Sequence, residues 1–386
     1  MRTALFVVAT LAATALSKAR AQNATILIRT VAREGGEALG FTSISMPRHS
    51  LQRLTNERGT IVLPNLSPGA VSLRFRRIGF APKDTVVDVT ANDTARVVVE
   101  MVRLAIELPT VVVEGTCTDR TPFEEKQPIM GKLFDQVQQN AERLVLLAKE
   151  RAFMITGTED YGPRKRGAVL AGASFTRSPL PDKPYVPGGI YWRMGKTYGV
   201  KQPELADIAD TSFTNNHCFW YAGQTQFGAD SVVRVDFEPV PWLAKDVDLE
   251  GSLYLRLDGY RLVGMVTRLN RMPREFSNLV GYATRVRFDE LVSGIPILAD
   301  WEVTNTFRGS KEPTVVATGR VTAVRCLEAS KPDSLGVCRP IADRRRIRND
   351  ASRPYFDSPP SSTGPLGCPH ASQNRKPAHE RRAATR

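Results

Sequence analysis

The chain has 386 residues, with 53 Lys and Arg against 40 Asp and Glu, a formal charge of +13, and 42% hydrophobic residues. That length supports two modest domains, each able to bury a core, and the hydrophobic content is ordinary for a water-soluble chain. The positive charge resembles a nucleic-acid signature only until it is located. From Ala329 onward there are 12 Lys and Arg against 5 Asp and Glu, so +7 of the +13 lies in the C-terminal tail, and no specific nucleic-acid partner is expected.

At the start, Met1-Arg2 supplies a positive charge and Ala4 to Leu16 forms an uncharged apolar run. Ala19-Arg20-Ala21 then places small residues where a signal peptidase reads, so a secretory signal with cleavage after Ala21 is expected. The run is shorter than the about 18 apolar residues of a membrane anchor. No other segment approaches that length, and no Cys follows the cleavage site to take a lipid.

Residues 24–115 read as a run of short strands: Ala24 to Val31, Ser72 to Phe75, Thr85 to Val89 and Ala95 to Val102. Turn formers separate them at Gly35-Gly36, Asn56 to Gly59, Ser67-Pro68-Gly69 and Asn92-Asp93. Strands at such spacing, with no helical period between them, predict an antiparallel sandwich of about seven strands. Gly59 suits a turn with positive φ, Ile61 and Leu63 alternate onto one face, and Leu66 plugs the end of the sandwich. Gly69 turns the chain again, and Gly79-Phe80 sets an aromatic ring against the core.

This stretch, Thr55 to Gly69 followed by Gly79-Phe80, resembles the carboxypeptidase-regulatory-like (transthyretin-like) domain. That family's pattern is T-D-x-x-G-x-F-x-[LI], a short Gly loop and then G-Y. Asn56, Ile61 and Phe80 replace the family's Asp, Phe and Tyr without changing size or polarity class. Leu108 to Gly115 looks like the segment that closes this module in many bacterial envelope proteins, including TonB-dependent receptors. The resemblance implies a β-sandwich with a carbohydrate-binding-like fold and an envelope location. It covers the accessory domain of such carboxypeptidases and not the catalytic one.

Residues 116–157 read as a linker and an amphipathic helix. Ile129, Leu133, Val137, Ala141, Leu144 and Ala148 recur every three or four positions, with Gln138, Gln139, Glu142 and Lys149 between them. The helix starts near Pro128 and ends before Gly157, and packing on the following domain is its expected use. From residue 158 to 328 strand composition returns, at Ser231 to Phe237, Leu249 to Leu257, Arg261 to Leu269, Gly281 to Phe288 and Glu302 to Phe307. Asp258-Gly259 is a two-residue hairpin signal. Glu250 to Val263 is similar to the hairpins of periplasmic half-barrel proteins of the lipoprotein-carrier type, and a plain antiparallel meander accounts for the same residues. The whole chain is therefore expected to be mainly β. Its tail, 329–386, contains Arg344 to Arg348 and much Pro, Ser and Gly, a composition that predicts disorder.

The chemistry-bearing residues specify no reaction. A catalytic zinc needs three protein ligands, and of the four histidines His370 and His379 fall in the tail, while His49 and His217 lack a carboxylate at ligand spacing. Gly189 to Thr197 fails as a phosphate loop because five residues separate its glycines where four are needed. No G-x-S-x-G elbow occurs. His217 and Cys218 are adjacent, so on a strand they point to opposite faces and cannot form a dyad. Asp246, Asp248 and Glu250 alternate on one strand face, where they could hold a cation, but nothing completes a calcium loop and a solvated face is the simpler expectation. No cofactor and no metal are expected.

The cysteines are Cys117, Cys218, Cys326, Cys338 and Cys368, in a chain bound for an oxidising compartment. The candidate disulfides are Cys326 with Cys338, which are close in sequence, and Cys117 with Cys218; other connectivities remain open. Two function classes follow. One is an exported, non-catalytic binding or adaptor protein of the envelope whose partner is a protein, glycan or lipid, with Tyr185, Tyr191, Trp192, Trp220 and Trp242 as possible aromatic platforms. The other is an enzyme with an unfamiliar site within 158–328.

Overall fold

A computed structural model describes residues 23–47, 51–109, 128–162, 171–181, 183–194, 197–208, 210–243 and 245–327. The expected signal segment (1–21) and the basic tail (329–386) lie outside the described residues, as do His49, Cys117, Cys338 and Cys368. The chain divides into two compact units, Met1–Arg103 and Leu104–Arg386. The boundary falls earlier than residue 115, because Leu104–Pro109 bonds within the second unit: Ile106 N–H donates to Tyr260 Oη at 3.2 Å, and Tyr221 Oη–H donates to the Pro109 carbonyl at 3.2 Å.

The first unit has β1 (Ala24–Ala32), β2 (Ser43–Met46), β3 (Leu51–Leu54), β4 (Thr60–Leu66), β5 (Gly69–Arg76), β6 (Lys83–Val89) and β7 (Thr94–Met101). They form a three-stranded sheet, β4-β1-β7, and a four-stranded sheet, β3-β2-β5-β6. Ile26, Ile28, Leu63, Val99 and Met101 of one sheet and Ile44, Val71, Leu73, Phe75 and Val87 of the other share one apolar core, which makes this a sandwich. The alternation that predicted β4 holds: Leu63 and Leu66 are buried, Ile61 packs partly against them, and Val62 is 54% exposed. The expectation of a wholly antiparallel sandwich is corrected at one pair, since β1 runs parallel to β7 from Thr25 beside Thr94 to Ala32 beside Met101. Turn chemistry reports only hairpins between neighbours, and β1 and β7 are the two ends of the unit. The four-residue strands β2 and β3 were also not foreseen, being too short to display a period.

Gly59 is held at φ +72°, and a Cβ there would stand 2.6 Å from the Thr30 carbonyl oxygen. Around it, Asn56 Oδ1 accepts from Arg58 N–H, Thr60 N–H and the Thr60 hydroxyl, each at 3.0 Å. Thr30, Thr42 and Thr55 are all fully buried. Their hydroxyls donate to the Leu39 carbonyl at 2.7, 2.9 and 3.3 Å, so the polar interior behind the turn is satisfied. Gly69 and Gly79 also take positive φ, 123° and 78°. Phe80 is 5% exposed, with the Arg77 and Arg103 guanidinium groups 5.9 and 5.5 Å from its ring.

The second unit is built on α1 (Pro128–Glu150) and a nine-stranded antiparallel sheet. Its strands are β8 (Phe153–Tyr161), β9 (Ala171–Arg177), β12 (His217–Phe227), β13 (Asp230–Pro239), β14 (Leu249–Arg256), β15 (Leu262–Leu269), β16 (Leu279–Val292), β17 (Ile295–Phe307) and β18 (Thr314–Cys326). The order is β12-β13-β14-β15-β16-β17-β18-β8-β9. A separate hairpin pairs β10 (Tyr191–Met194) with β11 (Thr197–Val200), and α2 (Leu205–Ile208) and α3 (Thr211–Thr214) follow it. Of the segment Gly189 to Thr197, Tyr191–Met194 and Thr197 lie in the two strands of this hairpin, and residues 195–196 lie outside the described residues.

Helix α1 packs against both β12 and β17. These strands stand five places apart, about 24 Å at ~4.8 Å per strand, a span that the 23-residue helix, about 34 Å long, can cover from one face of the open, half-barrel-like sheet. Enclosure also buries the helix beyond its apolar stripe: Gln136, Gln139, Asn140 and Arg143 are each at most 1% exposed. Gln139, read from sequence as polar-face, is thus corrected to interior. Asn140 binds the β14–β15 turn from inside, donating to the Tyr260 carbonyl at 3.2 Å and accepting from Leu262 N–H at 3.0 Å. That turn spans four residues rather than the two expected, with Gly259 at φ 78° and Tyr260 at φ 54°.

Candidate functional site

The register defines which side chains enter the half-barrel. Phe219, Phe237, Gly251, Thr267, Thr284, Val303 and Ala317 are successive partners across β12 to β18 and so share one face. Phe134 of α1 lies 4.7 Å from Phe219, so this is the face turned to the helix. The opposite face carries Arg234 with Asp236, Arg268 with Glu250, and Arg287 with Asp300, an outer ladder of ion pairs.

Besides that outer ladder, three polar groupings are found among the described residues of the second unit. In the first, His217 opens β12 and is 3% exposed, Asp248 is fully buried and Tyr185 is 3% exposed. Tyr185 Oη–H donates to Asp248 Oδ2 at 2.6 Å, and His217 Nε2 is 3.8 Å from Asp248 Oδ1. The imidazole is sealed. Its Nδ1 lies 2.9 Å from the Phe213 carbonyl, its Nε2 lies 3.0 Å from the Leu249 carbonyl, and Phe213 stacks on the ring at 4.0 Å. Burial pushes the His217 pKa down against the pull of Asp248, and burial together with the Asp248 carboxylate pushes the Tyr185 hydroxyl up.

The alternating trio of carboxylates does not share a face. Asp248 turns inward to Tyr185, Glu250 turns outward to Arg268, and Asp246 lies in the preceding loop. Among the described residues no group of three His, Cys, Asp or Glu side chains is placed to hold a metal ion.

In the second grouping, Lys201 pairs with the buried Asp207 at 2.6 Å and Arg177 with Glu204 at 2.8 Å. Burial raises the Glu204 pKa, against the nearby Arg177 charge. The third lies on the inner face where β16 meets β17. Tyr282 and Asn305 are register partners, Thr284 is 1% exposed, and Gln202 Nε2–H donates to Tyr282 Oη at 2.5 Å. Burial raises the Tyr282 pKa, offset by Thr284 and Gln202. Sequence reasoning missed this grouping, because Gln, Tyr, Thr and Asn carry no motif and 80 positions separate Gln202 from Tyr282.

The aromatic candidates separate. Tyr185 is core, Tyr191 packs edge-on to Phe276, Trp192 is 45% exposed over Gly199, and Trp242 is 46% exposed. Trp220 pairs in register with Asp236 on the outer face. Cys218, partnered with Glu238 on that same face, points away from His217 as expected. Neither Cys218 nor Cys326 is a free thiol; their expected partners, Cys117 and Cys338, lie outside the described residues. Gly59, Leu66, Gly69, Gly79 and Phe80 form the turn, plug and packing of the sandwich and converge on no cleft. In the first unit a depression of about 360 Å³ lies along Pro47, Ser72, Leu73, Arg74, Asp84, Thr85 and Val86. No described helix is long and apolar enough to cross a membrane.

The fold class is therefore a β-sandwich unit and a helix-filled, open β half-barrel unit. No protein family and no curated protein matches the sequence. Among solved structures, a DUF1329 family protein from Desulfovibrio piger is similar over 54% of this chain and 96% of its own, at 10% identity and a TM-score of 0.30. A putative outer membrane lipoprotein-sorting protein domain from Vibrio parahaemolyticus is similar over 52% of this chain and 97% of its own, at 8% identity and a TM-score of 0.28. The minor pilin GBS52 of Streptococcus agalactiae is similar over 23% of this chain and 49% of its own, at 13% identity and a TM-score of 0.20.

Proposed function

We propose that this chain is an exported, non-catalytic binding or adaptor protein of the cell envelope. In this reading the first unit is a module of the carboxypeptidase-regulatory-like kind and the half-barrel unit carries the ligand. The observation that carries the reading is the state of the buried ionisable groups in the half-barrel. A catalytic acid or base must reach a substrate proton. His217, the sole histidine among the described residues, has both ring nitrogens on backbone carbonyls and is 3% exposed. Asp248 is held by Tyr185, Asp207 by Lys201, and Asp236 by Arg234 and Ser252. Such groups stabilise a shape. Binding proteins need a shaped wall with a few polar groups, which the inner face of a half-barrel supplies.

The secretory start and the disulfides belong to the same proposal. The test is to express the full chain with its own N-terminus in a bacterial host and fractionate the cells. We expect envelope or medium fractions to contain protein beginning at Gln22, with Cys218 and Cys326 in disulfide-linked peptides. Cytoplasmic protein with Met1 intact and all thiols free would overturn the reading.

A further inference from the structure

We propose that the inner face of the half-barrel at β16 and β17 is a binding site for a neutral, hydroxyl-rich ligand, a short stretch of glycan. This rests on the binding reading above and names its site and ligand class.

The argument starts from acceptors left over. Gln202 Oε1, Thr284 Oγ1 and Asn305 Oδ1 are all buried and have no hydrogen-bond partner. Thr284 approaches the Tyr282 hydroxyl, but its Oγ1 has no bond of ordinary geometry. If the Gln202 amide is turned over, its oxygen meets Tyr282 and its NH2 is left over instead. A buried polar group left without a partner is destabilising, so three in one place call for a molecule that supplies donors. The acceptor atoms are covered, but Gln202 and Asn305 are each partly exposed as residues, with Thr284 as the floor beneath them, so a side-chain rotation brings their amide oxygens to the surface.

The wall beside this floor is aromatic. Trp301, four residues before Asn305 on the same strand, has its ring 5.5 Å from Phe175 of β9. Both rings are partly exposed. A Cβ on Gly319 would stand 2.0 Å from Trp301 Cζ2, and one on Gly157 would stand 2.5 Å from Phe175 Cζ, so two bare glycines let the rings lie down on the sheet. The Arg177 guanidinium is 5.8 Å from one ring centroid and 6.0 Å from the other, and its Nε is a further buried atom without a partner. The strand rise sets Trp301 about 13 Å from Asn305, a reach suited to an oligosaccharide.

Charge narrows the class. Arg177 is neutralised by Glu204 and Lys201 by Asp207, so the site offers no surplus positive charge to a phosphate or an anionic lipid headgroup. Hydroxyl groups, which both donate and accept, satisfy the left-over acceptors and the Arg177 Nε together, while the apolar side of a sugar ring meets the partly exposed edges of Trp301 and Phe175.

The test titrates the full chain, with its cysteines oxidised, against maltohexaose, cellohexaose and chitohexaose, read by calorimetry and tryptophan emission. Phosphatidylglycerol vesicles serve as the anionic comparison. We expect saturable binding of at least one hexasaccharide, with affinity lowered at least tenfold by Asn305→Ala and by Thr284→Val and melting temperatures held near that of the parent. Trp301→Leu should remove most of the ligand-induced emission change. Saturable binding unaffected by these substitutions would overturn this site and leave the binding reading intact. Binding of vesicles alone, or of none of the probes by protein that melts normally, would overturn the ligand class. Release of shorter sugars would overturn the non-catalytic reading and leave the site standing.

Discussion

Gly59 and Gly36 make a matched pair in which backbone strain can be separated from steric conflict. Both are left-handed, at φ +72° and +65°, so replacing either by Ala carries a similar conformational penalty of about 1–2 kcal/mol. A Cβ on Gly36 meets nothing within 4 Å. One on Gly59 would lie 2.6 Å from Thr30 O, 3.0 Å from Leu39 O and 3.1 Å from Leu39 N, all backbone atoms that no rotamer change can clear. Thr30 O accepts from Leu39 N–H at 2.9 Å and Thr30 N–H donates to Gly59 O at 2.8 Å, so making room strains a hydrogen-bonded crossing. Overpacking of this kind adds about 1–3 kcal/mol and a weakened bond about 1 kcal/mol more.

Gly36→Ala should therefore cost about 1–2 kcal/mol and Gly59→Ala about 3–6 kcal/mol; Gly59→Val, with a branched Cβ, should do no better. For a unit of this size those costs correspond to melting shifts of roughly 5–10 °C and 15–30 °C. The assay is thermal unfolding of the full chain by far-UV circular dichroism. All four tryptophans, at 192, 220, 242 and 301, lie in the second unit, so their emission serves as an internal control. Equal shifts for the two alanine variants would refute the steric part of the reasoning, and no shift for either would refute the assigned turn.

Asn140→Leu should lower the stability of the second unit by about 2–4 kcal/mol, because Leu262 N–H and the Tyr260 carbonyl lose their buried partner; tryptophan emission against urea measures it. His217 should make that same stability depend on pH. Burial holds its pKa below the ordinary 6.5, so the unfolded chain takes up a proton that the folded one resists. Stability should be full above about pH 6.5 and fall as pH drops below it, and His217→Gln should flatten that slope; an unchanged slope would show that another group titrates. Non-reducing peptide mapping should find Cys326 linked to Cys338 and Cys218 to Cys117, the first closing a short loop that contributes about 3 kcal/mol; free thiols throughout would discard both bridges.

Much of the architecture was legible in sequence because it depends on neighbours. The alternation of Ile61, Leu63 and Leu66, the turn glycines 59, 69 and 79, and the 3.6-residue period from Ile129 to Ala148 are each set by local backbone geometry and one buried face. The strands around Val235, Leu253, Met265, Val286 and Val303 were visible for the same reason. What could not be read locally was closure. The parallel pairing of β1 with β7, the burial of Gln139, Asn140 and Arg143 and the hand-over from unit to unit at Leu104 all arise where distant segments meet.

The candidate site follows that rule. A carboxylate or histidine is conspicuous in a sequence, and His217, Asp207, Asp236 and Asp248 are each buried against protein partners. Gln202, Tyr282, Thr284 and Asn305 are ordinary polar residues that any surface strand carries. They come together only because β16, β17 and the distant Gln202 meet on one face of the sheet, where the oxygens of Gln202, Thr284 and Asn305 are covered. Periodicity specifies which face of a strand is apolar, and the tertiary structure alone decides which polar side chains that face must also take in.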